Sequence, residues 1–120
     1  MNDVCTLLYH DVVEPGREHL SGFNRSGALK YKLSDSVFAG HLEALEDYRD
    51  QRPGLITENG WDAGDHEKKL YLTFDDGGSS AMRIADRLEQ KGWYGHFFIT
   101  VGRIGTSTFL SENDLRELRE

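Results

Sequence analysis

Thr73-Phe74-Asp75-Asp76-Gly77-Gly78 sets two adjacent carboxylates where an apolar stretch gives way to a turn. Like charges this close repel, and burial disfavours their charged forms further. Such a pair is costly unless a cation or a specific set of hydrogen bonds meets it. Neighbouring side chains point to opposite faces of a strand, so Asp75 and Asp76 are expected to do different jobs. One would bind a metal ion through oxygen, and the other would take a proton from metal-bound water. Gly77 and Gly78 allow positive φ and close backbone approach, which a tight site needs. A plainer reading of the same residues is a turn whose acids cap the next helix and face solvent. Spacing alone leaves both readings open.

Other side chains offer chemistry with less context. His10 and Asp11 stand together near the end of an apolar stretch. His10 either lines the same cleft as the acid pair or is held by a backbone partner. His41 falls in a helical pattern and His96 at a strand start, and both read as structural. Trp61, in Asn59-Gly60-Trp61-Asp62, either stacks on a sugar ring or anchors its loop. The single Cys5 forbids an internal disulfide and reads as an inert core thiol.

Several elements must position these residues. Residues 4–13 are short, apolar and β-prone, as expected of a strand buried on both faces of a parallel sheet. Residues 17–33 read as loop. Ser34 then looks like an N-cap, with Val37, Phe38, Leu42, Leu45 and Tyr48 at helical spacing and an acidic face from Glu43 to Asp50. Residues 53–67 read as a surface loop. Residues 69–75 form the clearest strand and end at the acid pair. Ser79 or Ser80 is the expected cap of a helix that buries Met82, Ile84, Ala85 and Leu88 and ends at Gly92. Residues 95–101 read as a third buried strand, with Phe97 and Phe98 in the core and Trp93 and Tyr94 packing its entry. Ser111-Glu112-Asn113-Asp114 fits a capping box, with Leu115 and Leu118 apolar behind it.

Strands alternating with helices point to parallel βαβ units in an α/β fold. Strand ends beside the following loops are where α/β barrels keep reactive groups. The sequence stops at Arg119-Glu120 in a helical pattern with no C-cap. Three strands would leave two open sheet edges. The expectation is one partial domain over 1–120, incomplete at its C-terminus.

Composition narrows the classes. The 120 residues carry 14 Lys and Arg against 21 Asp and Glu, a formal net charge of −7. That argues against a nucleic-acid partner, which usually meets a basic patch. No stretch approaches the roughly 20 apolar residues of a membrane span. Met1-Asn2-Asp3-Val4 opens without a basic region or a signal-like apolar core, so the chain as written is expected in the cytoplasm.

Residues 70–77 (LYLTFDDG) resemble the first signature motif of the NodB-homology polysaccharide deacetylases, carbohydrate esterase family 4. Leu7-Leu8-Tyr9-His10-Asp11-Val12 is similar to the first strand of many members. Ser34, Phe38, His41, Leu42 and Leu45 resemble the helix before the motif, and residues 88–101 (LEQKGWYGHFFITV) the helix and strand after it. The resemblance covers residues 4–13 and 34–120. It implies an α/β fold that is the N-terminal part of a distorted (β/α) barrel. It also implies metal-dependent hydrolysis of N- or O-acetyl groups from a carbohydrate polymer. Asp75 would be the general base and Asp76 a ligand of a divalent metal, most often zinc, which polarises the acetyl carbonyl and activates water. Many members are exported.

The family's other two metal ligands are histidines in a His-x-x-x-His motif placed just after a helix like the last one here. His10, His19, His41, His66 and His96 do not show that spacing. A catalytic zinc takes about three protein ligands, so the 120-residue chain is expected to be inactive alone. Pairing with a C-terminal half or with another chain is the corresponding expectation. Two other classes stay in view. An aspartyl phosphotransferase usually separates its two acids by one residue, whereas Asp75 and Asp76 are adjacent. A non-catalytic carbohydrate-binding or degenerate deacetylase-like module would keep the fold without the metal site.

Overall fold

The β-branched and aromatic stretch that ends at Phe74 forms the middle strand of a three-stranded parallel sheet. The structure, a computed structural model, describes residues 3–48, 53–55 and 68–119. Strand β1 is Asp3–Tyr9 and β2 is Val12–Val13. Helix α1 is Ser26–Leu29, β3 is Leu33–Ser34 and α2 is Asp35–Tyr48. Strand β4 is Lys68–Phe74, α3 is Ala81–Lys91, β5 is His96–Phe97 and α4 is Glu112–Arg119. The sheet order is β1-β4-β5, and both pairings are parallel, as the alternation of strands and helices predicts.

Period-two side-chain geometry gives the sheet two unlike faces. Leu72 and Phe74 of β4 and Leu7 and Tyr9 of β1 pack with Phe38 and Leu42 of α2 and Ile84 and Leu88 of α3. Each fully buried side chain among them contributes about 1.5–3 kcal/mol by leaving water, and the half-buried Leu7 and Tyr9 less. The opposite face carries Thr6 and Leu8, which are exposed, so β1 is covered on one face only, not both as the sequence suggested. Its apolar run also breaks at His10-Asp11, and Val12–Val13 turns away to pair with β3. Cys5 is half-buried on this edge strand rather than sealed in the core.

Three aromatic rings stack across the sheet one rung before the acid pair. Tyr9 and Phe74 lie 5.6 Å apart at 19°, and Phe74 and Phe97 lie 5.0 Å apart at 19°. Phe38 meets Tyr9 edge-on at 5.2 Å and Phe74 at 6.1 Å. Offset and edge-on contacts are the favoured aromatic geometries, and they fix the ends of all three strands together.

The helices follow their caps. The Val37 N–H donates to Ser34 Oγ at 3.3 Å, making Ser34 the cap of α2. Phe38 and Leu42 are buried, but Val37 is exposed on the outer face. Gly92 ends α3 in the left-handed region at φ 70°. Ser111 and Asp114 close the capping box reciprocally, Ser111 N to Asp114 Oδ2 at 2.9 Å and Asp114 N to Ser111 Oγ at 3.1 Å.

Two further expectations are corrected. Residues 17–33 hold a 3₁₀ turn at Glu18–Leu20, helix α1 and the first residue of β3, not a plain loop. The third strand is only His96–Phe97: Phe98 is 58% exposed and Val101 sits 76% exposed in a 3₁₀ turn. Trp93 is buried beside the core while Tyr94 faces outward. Trp61 and His66 lie outside the described residues.

Candidate active site

Asp75 and Asp76 stand just beyond the C-terminal end of β4, the central strand. The Asp75 N–H donates to the Tyr9 carbonyl at 2.8 Å, so the β1–β4 ladder runs one step past the strand. The chain then turns sharply. Asp76 adopts φ 79°, and Gly77 follows at φ 78°. A non-glycine residue in the left-handed region is uncommon, and such strain gathers at functional sites. The turn is pinned from the far side: Thr100 N donates to the Asp76 carbonyl at 3.2 Å and Leu110 N to the Gly77 carbonyl at 3.0 Å.

The turn separates the two acids. Asp76 lines a cavity of about 540 Å³ together with His10 and Asp11 of the β1–β2 junction and residues of the α1 segment; Asp75 is not among the lining residues. The strand alternation invoked from sequence does not produce this, since both acids lie past the last strand residue. The left-handed turn at Asp76 does. Burial raises the Asp76 carboxyl above its ordinary range; nearby Asp11 and Asp75 push the same way, while His10 opposes them.

Gly78 shows why this turn is glycine-rich. A Cβ there would fall 2.2 Å from Asp11 Oδ1, 2.7 Å from Ser21 Oγ and 2.8 Å from Gly22 N. Gly77 is needed for its positive φ and Gly78 for close approach.

The close approach is to a buried polar cluster that sequence reading did not find. Asp11, 3% exposed, accepts from Ser21 Oγ at 2.5 Å and from Ser80 Oγ at 2.8 Å. The Ser80 N–H donates to Ser21 Oγ at 2.8 Å, and the Val12 N–H to Ser80 Oγ at 3.2 Å. Ser80 occupies the N-cap position of α3, yet its side chain makes no cap hydrogen bond. Its hydroxyl is spent on Asp11 instead. This cluster ties the β1–β2 junction, the loop at Ser21 and the turn after the acids into one unit. The sequence signal for it was a carboxylate, Asp11, inside an otherwise apolar run.

His41 and His96 stand apart from the acids. His41 hydrogen bonds with the Tyr9 hydroxyl at 3.2 Å on the outer surface. His96 pairs in register with Thr73, on the sheet. Among the described residues, no group of three or more His, Cys, Asp and Glu comes together as a metal site. The described residues therefore do not by themselves fit a catalytic zinc, which takes about three protein ligands.

No protein-family model matches the sequence, and no curated protein matches it. Solved structures do. IcaB from Ammonifex degensii superposes with a TM-score of 0.71 at 23% identity, over 98% of this chain and 48% of that one. A polysaccharide deacetylase from Bacillus cereus gives 0.69 at 21%, over 97% and 35%. A deacetylase from Streptococcus pyogenes, solved with acetate, gives 0.71 at 18%, over 97% and 51%. At these identities the likeness is one of fold: the chain has the α/β fold of polysaccharide deacetylases, as residues 70–77 suggested. It spans about half or less of the length of these proteins.

Proposed function

We propose that this chain carries the acid pair of a carbohydrate deacetylase, set in part of a distorted (β/α) barrel. The observation that supports it most is Asp76, held in a left-handed turn beyond the central parallel strand and facing a cavity. The fold shared with deacetylases supports the reaction class.

Asp75 is the general base in this reading. It holds a water and takes its proton as the oxygen attacks the acetyl carbonyl. The tetrahedral oxyanion collapses, the carbon–nitrogen or carbon–oxygen bond breaks, and acetate leaves. The freed sugar amine or hydroxyl takes up the proton. Asp76 would be an oxygen ligand for a divalent metal, zinc by expectation, whose chemistry would be to polarise the carbonyl. Two further ligands would be needed from outside the described residues, and without them the chain would be inactive.

Two measurements test this. Calorimetry with zinc should show weak binding that Asp76→Ala leaves unchanged. Tight binding lost in Asp76→Ala would mean that a ligand set does assemble, and the chain should then release acetate from acetylated oligosaccharides. Magnesium-dependent release of phosphate from a phosphate ester, abolished by Asp75→Asn, would overturn the deacetylase reading in favour of a phosphotransferase. The incomplete ligand group among the described residues favours one second reading, a non-catalytic carbohydrate-binding or degenerate deacetylase-like module. Glycan binding that survives both chelator and Asp76→Ala would support it.

A further inference from the structure

The segment that follows β5 touches both the acid turn and the opposite wall of the cavity, and the chemistry above makes no use of that. Its first contacts cradle the turn. Thr100 N donates to the Asp76 carbonyl and Leu110 N to the Gly77 carbonyl, and Gly78 forms an antiparallel bridge to Phe109. Ile99 packs so closely that a Cβ on Gly77 would fall 3.1 Å from its side chain. Leu110 is fully buried behind the turn.

One residue of this segment joins the turn to the wall. The Thr108 carbonyl accepts the Ser79 N–H at 2.9 Å, just past the acids, and the Gly22 N–H at 2.8 Å, where the wall begins. Thr108 Oγ1 donates back to the Gly22 carbonyl at 2.8 Å. Phe109 continues the contact. Its ring meets that of Phe23, a lining residue of the cavity, edge-on at 4.9 Å. Arg103 lies 5.3 Å over the Phe23 ring and 6.0 Å over Phe109. Lys32, also on the lining, braces the wall from within by donating to the Ser21 carbonyl at 2.6 Å and to Asn24 Oδ1 at 3.0 Å. Among the described residues, the hydrogen bonds from Ser79 and Ser80 themselves reach only Leu20 and Ser21 of this stretch. Phe23 therefore meets the acid turn through the segment after β5.

Thr108 holds φ 72°, the left-handed region, where a β-branched side chain is a genuine outlier. Such a conformation persists only where its surroundings over-determine it, and it gathers where a site needs exact geometry. Here it lets one carbonyl meet two amides from distant parts of the chain. A change in the sign of φ would swing that carbonyl away from both. We propose that Thr108 is a positioning residue: it clasps the acid turn to the wall at Gly22 and Phe23, and so sets the spacing between Asp76 and the wall it faces. The clasp rests on these contacts alone; only its use in catalysis rests on the deacetylase reading. With one acceptor shared, the two ends open together as a single local unit.

Amide hydrogen exchange on the full chain, followed by NMR, tests this. In wild type the Gly22 and Ser79 amides should be protected to within about threefold of each other, since one opening frees both. Thr108→Gly gives up the hydroxyl but takes the left-handed region freely, and both amides should stay protected. Thr108→Pro fixes φ at roughly −65°. It should speed exchange at both amides by about tenfold, the order of one lost amide–carbonyl hydrogen bond, and shift the Phe23 ring resonances. The β4 amides should keep their protection, whereas a plain loss of stability would speed exchange throughout. Wild-type protection that differs between Gly22 and Ser79 by more than about tenfold overturns the clasp, whether or not Thr108→Pro folds. Unchanged exchange in Thr108→Pro overturns it too, as does a Thr108→Gly variant that loses protection as fully as the proline. None of these readouts needs turnover. A completed metal site that released no acetate would sink the enzyme and leave the clasp standing.

Discussion

Asp76 holds a backbone conformation and an electrostatic position that both work against stability. It sits at φ 79°, partly buried, with Asp75 and Asp11 beside it. Asp76→Asn keeps the side-chain shape and tolerates the left-handed region while removing the charge. It should raise the melting temperature at neutral pH, measured by circular dichroism; a lower value would mean that Asp76 is stabilised by a contact that the amide cannot make. This is the usual exchange of stability for function at a reactive site. Gly78 is the opposite case. Gly78→Ala must displace Asp11, Ser21 or the Gly22 backbone. Overpacking of this kind costs about 1–3 kcal/mol, so the variant should unfold at clearly lower urea, and an unchanged midpoint would contradict the close packing of the turn. The acids stood out in the sequence through the resemblance of residues 70–77 to a deacetylase motif, since their spacing alone fitted a capped turn as well. The Asp11–Ser21–Ser80 cluster was not, because its members come from three places in the chain and only packing brings them together.

Helices α2 and α3 are joined across the core face by ion pairs as well as by Phe38, Leu42, Ile84 and Leu88. Arg87 Nε donates to Asp35 Oδ1 at 2.9 Å, and its Nη2 pairs with the second carboxylate oxygen. This guanidinium holds the Asp35 carboxyl below its ordinary value of 3.8. A depressed folded-state value gives stability that is present above the unfolded value and lost as pH falls through the folded one. The pair is partly open to solvent, so it is worth about 1 kcal/mol or less. Wild type and Asp35→Asn should therefore differ at neutral pH, begin to converge as the pH falls below 3.8 and meet once it passes the lower folded-state value; a difference that persists after acid has protonated Asp35 in the folded protein would point to packing rather than charge. At α4, Ser111→Ala removes one half of the capping box and should cost about 1 kcal/mol of stability in denaturant unfolding. Element types and caps were readable because they depend on neighbours in sequence. The length of the third strand was not. Residues 95–101 have strand composition, but β5 finds a partner only at Thr73 and Phe74, where β4 ends. Beyond that rung the backbone turns to serve the acid pair, with Phe98 N on the Phe74 carbonyl and Thr100 N on that of Asp76.

At the scale of the molecule, β4 is buried on both faces while β1 leaves Thr6 and Leu8 open, and the sheet has two outer strands. Among the described residues, β1 and β5 each pair only with β4. Leu8, Phe98 and Val101 are exposed, and unpaired strand edges template association. The chain should associate as its concentration rises, seen by sedimentation velocity, and Leu8→Lys should shift it toward monomer. A monomer at all concentrations, melting in one sharp transition, would contradict this. A completing segment or partner that covered the same face would relieve it in the same way.

The sequence by itself determined the class of fold, the order of β1, α2, β4, α3, β5 and α4, and the helix ends at Ser34, Gly92 and Ser111. Each of these is written in local terms: period, cap, turn residue and the abrupt change from Phe74 to Asp75. Tertiary structure alone decided that Asp76 and not Asp75 faces the cavity, and that Ser80 serves Asp11 instead of its own helix. It also decided that the segment taken for loop builds the cavity wall. These depend on which distant residues come within hydrogen-bonding distance, and the spacing of residues along a chain carries no record of that distance.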